Sequence, residues 1–372
     1  MPIEAHNLGT LYRPTTFGDL VNPSPSIKAL SRMIANGETP QAVMISGPYG
    51  CGKTTVAAIL ARHLLCKTPQ PDGTPCGVCP ACTCQLTANS DYQYKNSRSI
   101  GVAEARDLIE SVKFRPRISA HRVTVLDEAH TLTPAAQSQL LIPVETPPAP
   151  HIIWVFSSNH ISGLAPELIS RCVQVKTELP SLADILTLLT RVISAEGLTV
   201  SAEVLTEIAR ASGYHYRDAL HMLHCGISSG GLTDPASVAS FVSQSPTTIA
   251  ANTLRAIVCG NPRDALTEIS KSDDYRVIIK TLLLFSSKLA VYFVSGVGLR
   301  SYEIADYCSL VAGVPRPVWT RMFLQFLPAL EKLCERMQTF AVDDSILLNN
   351  FVLEWSVAFS IALKEVAPHA AA

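Results

Sequence analysis

From about residue 10 to 178, short apolar runs rich in β-branched residues alternate with stretches of helical periodicity. Val43 to Ile45, Val123 to Leu126, Ile152 to Phe156 and Val173 to Val175 are too short for buried helices. They predict strands of a parallel α/β sheet, an architecture that gathers its ligand site at the carboxyl ends of the strands. After Leu179-Pro180-Ser181 the strand rhythm stops. Apolar residues then recur at helical spacing in three sets: Ile185, Leu186, Leu188, Leu189, Val192 and Ile193; Val204, Leu205, Ile208 and Ala209; Ala219, Leu220, Met222 and Leu223. These predict a small helical bundle over 181 to about 242. The turn signal Ser228-Ser229-Gly230-Gly231 lies inside it, and Ser243 to Thr248 predicts a linker. Residues 249 to 367 read as helical again, ending in Leu348, Phe351, Val352, Trp355, Phe359, Ala362 and Leu363 at three- and four-residue steps. The most membrane-like stretch, Leu282 to Leu299, contains Ser286, Ser287 and Lys288 and two late glycines, so it predicts a buried bundle helix instead of a span. No internal repeat is present.

Composition narrows the class. At 372 residues, 47% hydrophobic and with mean hydropathy +0.22, the chain has material for two or three packed, mostly helical domains. A net charge of −1 and a pI near 6.8 carry no global basic excess, so any nucleic-acid contact must come from a local patch. The one dense basic group is Lys113, Arg115, Arg117, His121 and Arg122, which is either DNA-facing or simply solvated. Met1 to Gly9 lacks a basic start followed by an apolar stretch, so no signal peptide is expected. Eleven cysteines then argue for thiols and metal over disulfides, and for a cytoplasmic protein (host cytoplasm for a viral one) without membrane association.

The chemistry begins at Gly47-Pro48-Tyr49-Gly50-Cys51-Gly52-Lys53-Thr54, a complete phosphate-binding loop between the strand-like Ala42 to Ile45 and the helix-like Val56 to Leu60. Such a turn aims successive backbone N–H groups at one point. Lys53 would reach the β and γ phosphates, Thr54 would ligate Mg²⁺, and Thr55 extends the nucleotide-contacting run. Downstream, the strand His121 to Leu126 ends in Asp127 and Glu128. Asp127 would hold the magnesium, and Glu128, pointing elsewhere, would polarise the attacking water. Cys51, at a loop position where the motif is indifferent, is a small filler; Cys172, Cys225, Cys259, Cys308 and Cys334 have no metal spacing and read as buried apolar residues.

Cys66, Cys76, Cys79 and Cys82 follow the phosphate-loop helix as C-x9-C-x2-C-x2-C within a Pro- and Gly-rich loop. Four thiolates at this spacing can close a tetrahedron around a structural Zn²⁺, stabilising a loop too poor in apolar residues for its own core. Cys84 is an alternative to Cys82 in that shell.

Taken in order, these motifs resemble the gamma/tau ATPase subunits of the bacterial DNA polymerase III clamp loader, within the AAA+ clamp-loader family, over nearly the whole chain. Tyr12-Arg13-Pro14-Thr15-Thr16-Phe17-Gly18-Asp19-Leu20-Val21 is similar to the family's adenine-binding segment, which assigns Tyr12, Arg13, Pro14 and Val21 to the nucleotide, and the cysteine loop is similar to the zinc module of the bacterial branch. Ser157-Ser158-Asn159 occupies the place of sensor 1, so Asn159 would orient the attacking water or contact the γ phosphate. Ser170-Arg171-Cys172 matches the family's arginine-finger motif, so Arg171 would act in trans on a neighbouring subunit's nucleotide. Tyr216-Arg217-Asp218-Ala219-Leu220 matches the sensor 2 helix, with Arg217 reaching the γ phosphate in cis. Arg98 falls where the family contacts DNA, and the helix Ala103 to Phe114, with Leu108, Ile109, Val112 and Phe114, falls where it meets the sliding clamp.

The resemblance implies three domains: an AAA+ nucleotide-binding domain over 1–178 with the zinc module at about 66–84, a helical lid over 179–242 and a helical oligomerisation collar over 243–372. It implies an ATP hydrolase, stimulated by DNA and clamp, that serves a DNA polymerase holoenzyme by loading a ring-shaped clamp onto primer-template DNA within a ring-like hetero-oligomer of clamp-loader subunits. Its cofactors would be ATP, Mg²⁺ and structural Zn²⁺. Another AAA+ DNA motor or a non-hydrolysing scaffold subunit are the competing readings. The chain departs from the family at Ile142-Pro143, where lysine and threonine are usual, and proline there is expected to end its helix early. It also stops where the longer family form continues, and so resembles the short form.

Overall fold

The computed structural model describes residues 7–228, 232, 246–272, 274–296, 299, 303–312, 314–339 and 344–366. The predicted turn at 228–231 and linker at 243–248 lie largely outside these residues, and Pro246 to Thr248 already belong to a helix. Contacts divide the chain into two units, residues 1–199 with 214–224 and residues 200–213 with 225–372.

The first unit is built on a five-stranded, wholly parallel sheet in the order β2-β3-β4-β1-β5. The strands are β1 (Ala42–Ser46), β2 (Tyr92–Asn96), β3 (Arg122–Asp127), β4 (Ile152–Ser158) and β5 (Val173–Lys176). Side chains of successive residues leave opposite faces, so every central strand feeds two cores. Val43, Ile45, Val123, Val125, Ile153 and Val155 pack with Val56, Ile59 and Leu60 on one face. Ala42, Met44, Leu126, Ile152, Trp154 and Phe156 pack with Leu108, Val112 and Leu140 on the other. Central strands buried on both faces read as nearly unbroken apolar runs, which is why β1, β3 and β4 were legible, whereas β5 is an edge strand with exposed Gln174 and Lys176 and was legible only through Val173 and Val175. The fifth, β2, reads Tyr-Gln-Tyr-Lys-Asn and is half-buried to exposed because it is an edge strand with a polar side.

Around the sheet run α1 (Leu8–Leu11), α2 (Pro25–Ala35), α3 (Lys53–Leu65), α4 (Pro80–Thr83), α5 (Val102–Val112), α6 (Pro134–Glu145), α7 (Pro166–Ser170) and α8 (Leu182–Glu196). On α5, Leu108 and Val112 are core residues, whereas Phe114 lies beyond the helix end and is 70% exposed. Pro143 does not end α6. The helix continues to Glu145, with the Thr146 N–H donating to the Ile142 carbonyl at 2.8 Å. The proline sits in the last turn, and burial of Pro143 and Val144 offsets the missing N–H.

Two further helices are α9 (Ala202–Ala211), grouped with the second unit, and α10 (Tyr216–Ser228), whose residues to His224 group with the first. The second unit adds α11 (Pro246–Val258), α12 (Pro262–Ile269), α13 (Tyr275–Ser295), α14 (Glu303–Leu310), α15 (Arg316–Thr339) and α16 (Asp344–Val366). Leu348, Phe351, Val352, Trp355 and Phe359 of α16 are all buried in one core, where Phe326 meets the rings of Phe351, Trp355 and Phe359. Among the described residues two helices, Tyr275–Ser295 and Asp344–Glu365, are long and apolar enough to cross a membrane by length and composition alone. Within the predicted stretch Leu282, Phe285 and Leu289 share that same core, but Leu284, Val291 and Val294 are exposed and the helix ends at Ser295, so the stretch is buried on one side only.

Candidate active site

The phosphate loop leaves β1 and enters α3 through three glycines with positive φ: Gly47 at 151°, Gly50 at 74° and Gly52 at 89°. Two of them are also sterically required. A Cβ on Gly47 would lie 2.2 Å from Thr177 Oγ1, and one on Gly50 would lie 2.6 Å from the His215 ring. The result is a cradle of backbone N–H groups at the amino terminus of a thirteen-residue helix, a fit for phosphate oxygens. Lys53, the first residue of α3, is buried and donates to the Pro48 carbonyl at 2.5 Å. Burial lowers its pKa, opposed by Cys51 and Asp127 nearby. Cys51 is the small filler expected: its thiol donates to the Pro48 carbonyl and pairs with Thr177 Oγ1, both at 2.7 Å. Cys172 is buried too, but Cys259 is exposed and Cys225, Cys308 and Cys334 are only half-buried, so the apolar-core reading fails for Cys259, which follows the end of α11.

Because β4 lies between β1 and β3, the end of β3 and the residues after β4 are brought beside the phosphate loop. Asp127 ends β3, and its two oxygens are both engaged. Oδ1 accepts from the Ser157 hydroxyl and from the Glu128 N–H at 3.0 Å, and Oδ2 accepts from the Tyr94 hydroxyl. Glu128 has a left-handed backbone, φ 53°, which turns its carboxylate away from Asp127. There it forms an ion pair with Arg98 at 2.8 Å and accepts from the Asn96 amide at 3.4 Å. Asn159 follows β4 directly and is half-buried. Thr54 and Asp127 thus offer a hydroxyl and a carboxylate, the oxygen donors that magnesium takes beside phosphates.

The amino-terminal segment and α10 reach the same loop. Arg13 Nε donates to Thr55 Oγ1 at 3.2 Å, the Tyr216 hydroxyl donates to the Val21 carbonyl at 3.4 Å, and Tyr12 donates to Glu196 of α8 at 2.5 Å, with Pro14 half-buried in this segment. Arg217 is exposed and its guanidinium donates to the Tyr49 hydroxyl at 3.4 Å, while the Tyr49 ring meets His215 edge-on. Arg171 joins a different group. It pairs with Glu145 of α6 at 2.9 Å and donates to the Glu167 carbonyl at 2.7 Å.

The four predicted cysteines converge. The sulfurs of Cys66, Cys76, Cys79 and Cys82 all lie within 4.8 Å of one another. A tetrahedral zinc with bonds of about 2.3 Å spaces its sulfurs by about 3.8 Å, so the set fits that ion. The N–H groups of Cys76 and Cys79 donate to the sulfurs of Cys66 and Cys76, each at 3.3 Å. Cys84 is outside the cluster, its thiol turned to the Ala81 carbonyl at 3.6 Å.

The family profile described as DNA polymerase III, delta subunit, matches residues 23–180. The gamma/tau subunit of DNA polymerase III from Mycobacterium tuberculosis is 34% identical over 217 residues, covering 57% of this chain and 37% of that protein. The tau subunit from Salmonella typhimurium is 26% identical over 303 residues, covering 79% and 47%. Over these stretches the chain is similar to DNA polymerase III gamma/tau subunits. It spans less than half the length of these relatives. Among solved structures, the Holliday junction branch migration motor RuvB of Thermotoga maritima aligns over 82% of this chain and 94% of its own, at 16% identity and TM-score 0.48. The parallel sheet and the phosphate loop between β1 and α3 make the first unit an α/β phosphate-loop protein, and the described residues of the second unit are helical.

Of the basic group at 113–122, Lys113, Arg115 and Arg117 are exposed, but its last member is not. Arg122 is buried on β3, donating to the Ser111 carbonyl at 2.7 Å and facing the fully buried Asp91 at 3.6 Å. Burial works against the charge of Asp91, but the N–H groups of Arg117, Ile118 and Ser119 outweigh it and hold the carboxyl below its ordinary range. Lys113 pairs with Glu110 at 2.6 Å. Sequence reasoning missed Tyr94, Asn96 and Ser157 as partners of the acidic pair. The Tyr92, Tyr94, Asn96 alternation, which marks one face of a strand, was the available signal. It also missed His130, whose ring accompanies Ser158 Oγ at 3.2 Å and faces His160.

Proposed function

We propose that the chain is an ATPase motor subunit of a sliding-clamp loader, which uses ATP to place a ring-shaped polymerase clamp on primer-template DNA. The observation that carries the reading is the Arg98–Glu128 ion pair at 2.8 Å. The carboxylate that would polarise the attacking water is tied to an arginine that is itself 70% exposed at the surface. A DNA phosphate competing for Arg98 would release Glu128 to the nucleotide, so that polymer binding switches on hydrolysis.

The remaining roles follow the same geometry. Backbone N–H groups of Gly47 to Thr55 cradle the phosphates, and Lys53 exchanges the Pro48 carbonyl for the β and γ oxygens. Thr54 and Asp127 would hold a magnesium ion, which would supply charge neutralisation to the phosphates. Tyr12, Arg13, Pro14 and Val21 line the base, Asn159 orients the water, and Arg217 moves from Tyr49 to the γ phosphate. Arg171 acts on the nucleotide of a neighbouring subunit, and an arginine of this kind can be worth about 10³ to 10⁵ in rate. Residues 1–178, 179–242 and 243–372 serve as motor, lid and collar, and Cys66, Cys76, Cys79 and Cys82 hold a structural zinc. The assembly works in the cytoplasm as a hetero-oligomer with the clamp and further loader subunits. ATP and DNA both favour one assembled state, and hydrolysis removes that preference.

The test is ATP hydrolysis by the reconstituted subunit set, with and without primer-template DNA and the cognate clamp, against Glu128→Gln. Joint stimulation by both, lost in the variant, is expected. Hydrolysis indifferent to the clamp would point to another DNA motor, and none at all to a scaffold.

A further inference from the structure

The acidic pair is held by side chains from an element that carries none of the motifs. On β2, alternation sends Tyr94 and Asn96 to one face, and the register sets Asn96 beside Asp127 and Tyr94 beside Val125 of β3. Asn96 supports Glu128, and Tyr94 donates its hydroxyl to Asp127. The lone pairs of Asp127 can be counted. Each carboxylate oxygen accepts about two hydrogen bonds. Oδ1 already takes two, from the Ser157 hydroxyl and the Glu128 N–H, so it is filled within the chain. Oδ2 takes one, from Tyr94, and keeps one direction open. The carboxylate is thus fixed at three points, by Tyr94 of β2, Ser157 of β4 and the N–H of the following residue, Glu128, and its free acceptor direction is set by where Tyr94 stands.

We propose that Tyr94 is a positioning residue for magnesium: its hydroxyl aims the remaining lone pair of Asp127 at the metal or at a metal-bound water. This rests on reading the phosphate loop as a magnesium–nucleotide site. Without the hydroxyl, the carboxylate plane is held only through the two hydrogen bonds to Oδ1, and the metal must supply the remaining ordering on binding. Losing a partner that orients a ligand typically costs about ten- to a hundredfold in metal affinity. Because Ser157 and the Glu128 N–H remain in place, the lower end of that range applies here.

The experiment is a titration of Mg²⁺ into the full-length chain with a fluorescent, non-hydrolysable ATP analogue, for the natural chain and Tyr94→Phe, alongside nucleotide binding in EDTA. Tyr94 is 43% exposed on an edge strand and phenylalanine keeps the ring, so the variant retains the packing. The expected result is a magnesium midpoint raised about tenfold with metal-free nucleotide affinity unchanged. An unchanged or lower magnesium midpoint would overturn the role of Tyr94 and leave the nucleotide site standing. A matching loss of metal-free affinity would overturn it too, because Tyr94 would then act through packing. Failure of the natural chain to bind the analogue with or without metal would instead remove the nucleotide site, and the proposal with it.

Discussion

Replacing Arg98 by alanine tests whether Glu128 is restrained by its own chain. The pair is a single contact at 2.8 Å between side chains 70% and 28% exposed, so solvent screens it strongly. Exposed ion pairs of this kind contribute about 0.2–1 kcal/mol. If that is what holds Glu128 off the nucleotide, the released fraction rises by the corresponding factor, about 1.4-fold to fivefold, since about 1.4 kcal/mol is tenfold. Basal hydrolysis by the reconstituted assembly without DNA should therefore increase within that range, and the further stimulation by primer-template DNA should be largely lost. Salt offers a second readout. With screening over about 8 Å at physiological ionic strength, added salt should raise the DNA-free rate of the natural protein and leave Arg98→Ala unmoved. Arg98→Lys should retain most of the DNA response, because the charge remains. Steady-state phosphate release measures all of these. A basal rate that falls in Arg98→Ala, with full DNA stimulation intact, would refute the restraint.

Two further outcomes concern stability and metal. Purified chain should carry one zinc by elemental analysis, lost in Cys82→Ser and retained in Cys84→Ser; equal loss in both would contradict the placement of Cys84 outside the cluster. Asp91→Ala should destabilise the first unit by about 3–5 kcal/mol in urea unfolding, because it strands the buried Arg122 and three N–H groups. As the Asp91 pKa is lowered on folding, its contribution is complete above the unfolded carboxyl value near 3.9 and disappears as pH falls through the lower folded value. The gap between natural chain and variant should close only in that acidic window, and a gap that closes at neutral pH would reject the assignment.

Much of this protein was determined locally. A phosphate loop is a run of consecutive residues whose glycines meet the backbone requirement on their own, and Gly47, Gly50 and Gly52 take the positive φ values that the motif demands. Strands buried on both faces must be largely apolar, which made β1, β3 and β4 readable, edge strand β5 showed through Val173 and Val175, and the cysteine spacing was enough to close a four-sulfur cluster. Where two effects compete, the sequence alone was silent or misleading. Pro143 looked like a helix end until burial of the last turn outweighed its missing N–H. Arg122 looked like surface charge until Asp91, distant in sequence, drew it inside. Edge strand β2 was invisible because half of it faces solvent and has no apolar signature. The same strand then delivers Tyr94 to Asp127 across 33 positions, and β4 delivers Ser157 across 30. Side-chain patterns record burial and local backbone geometry. Which hydroxyl meets which carboxylate is decided by strand order and register, and those are settled only when the sheet assembles.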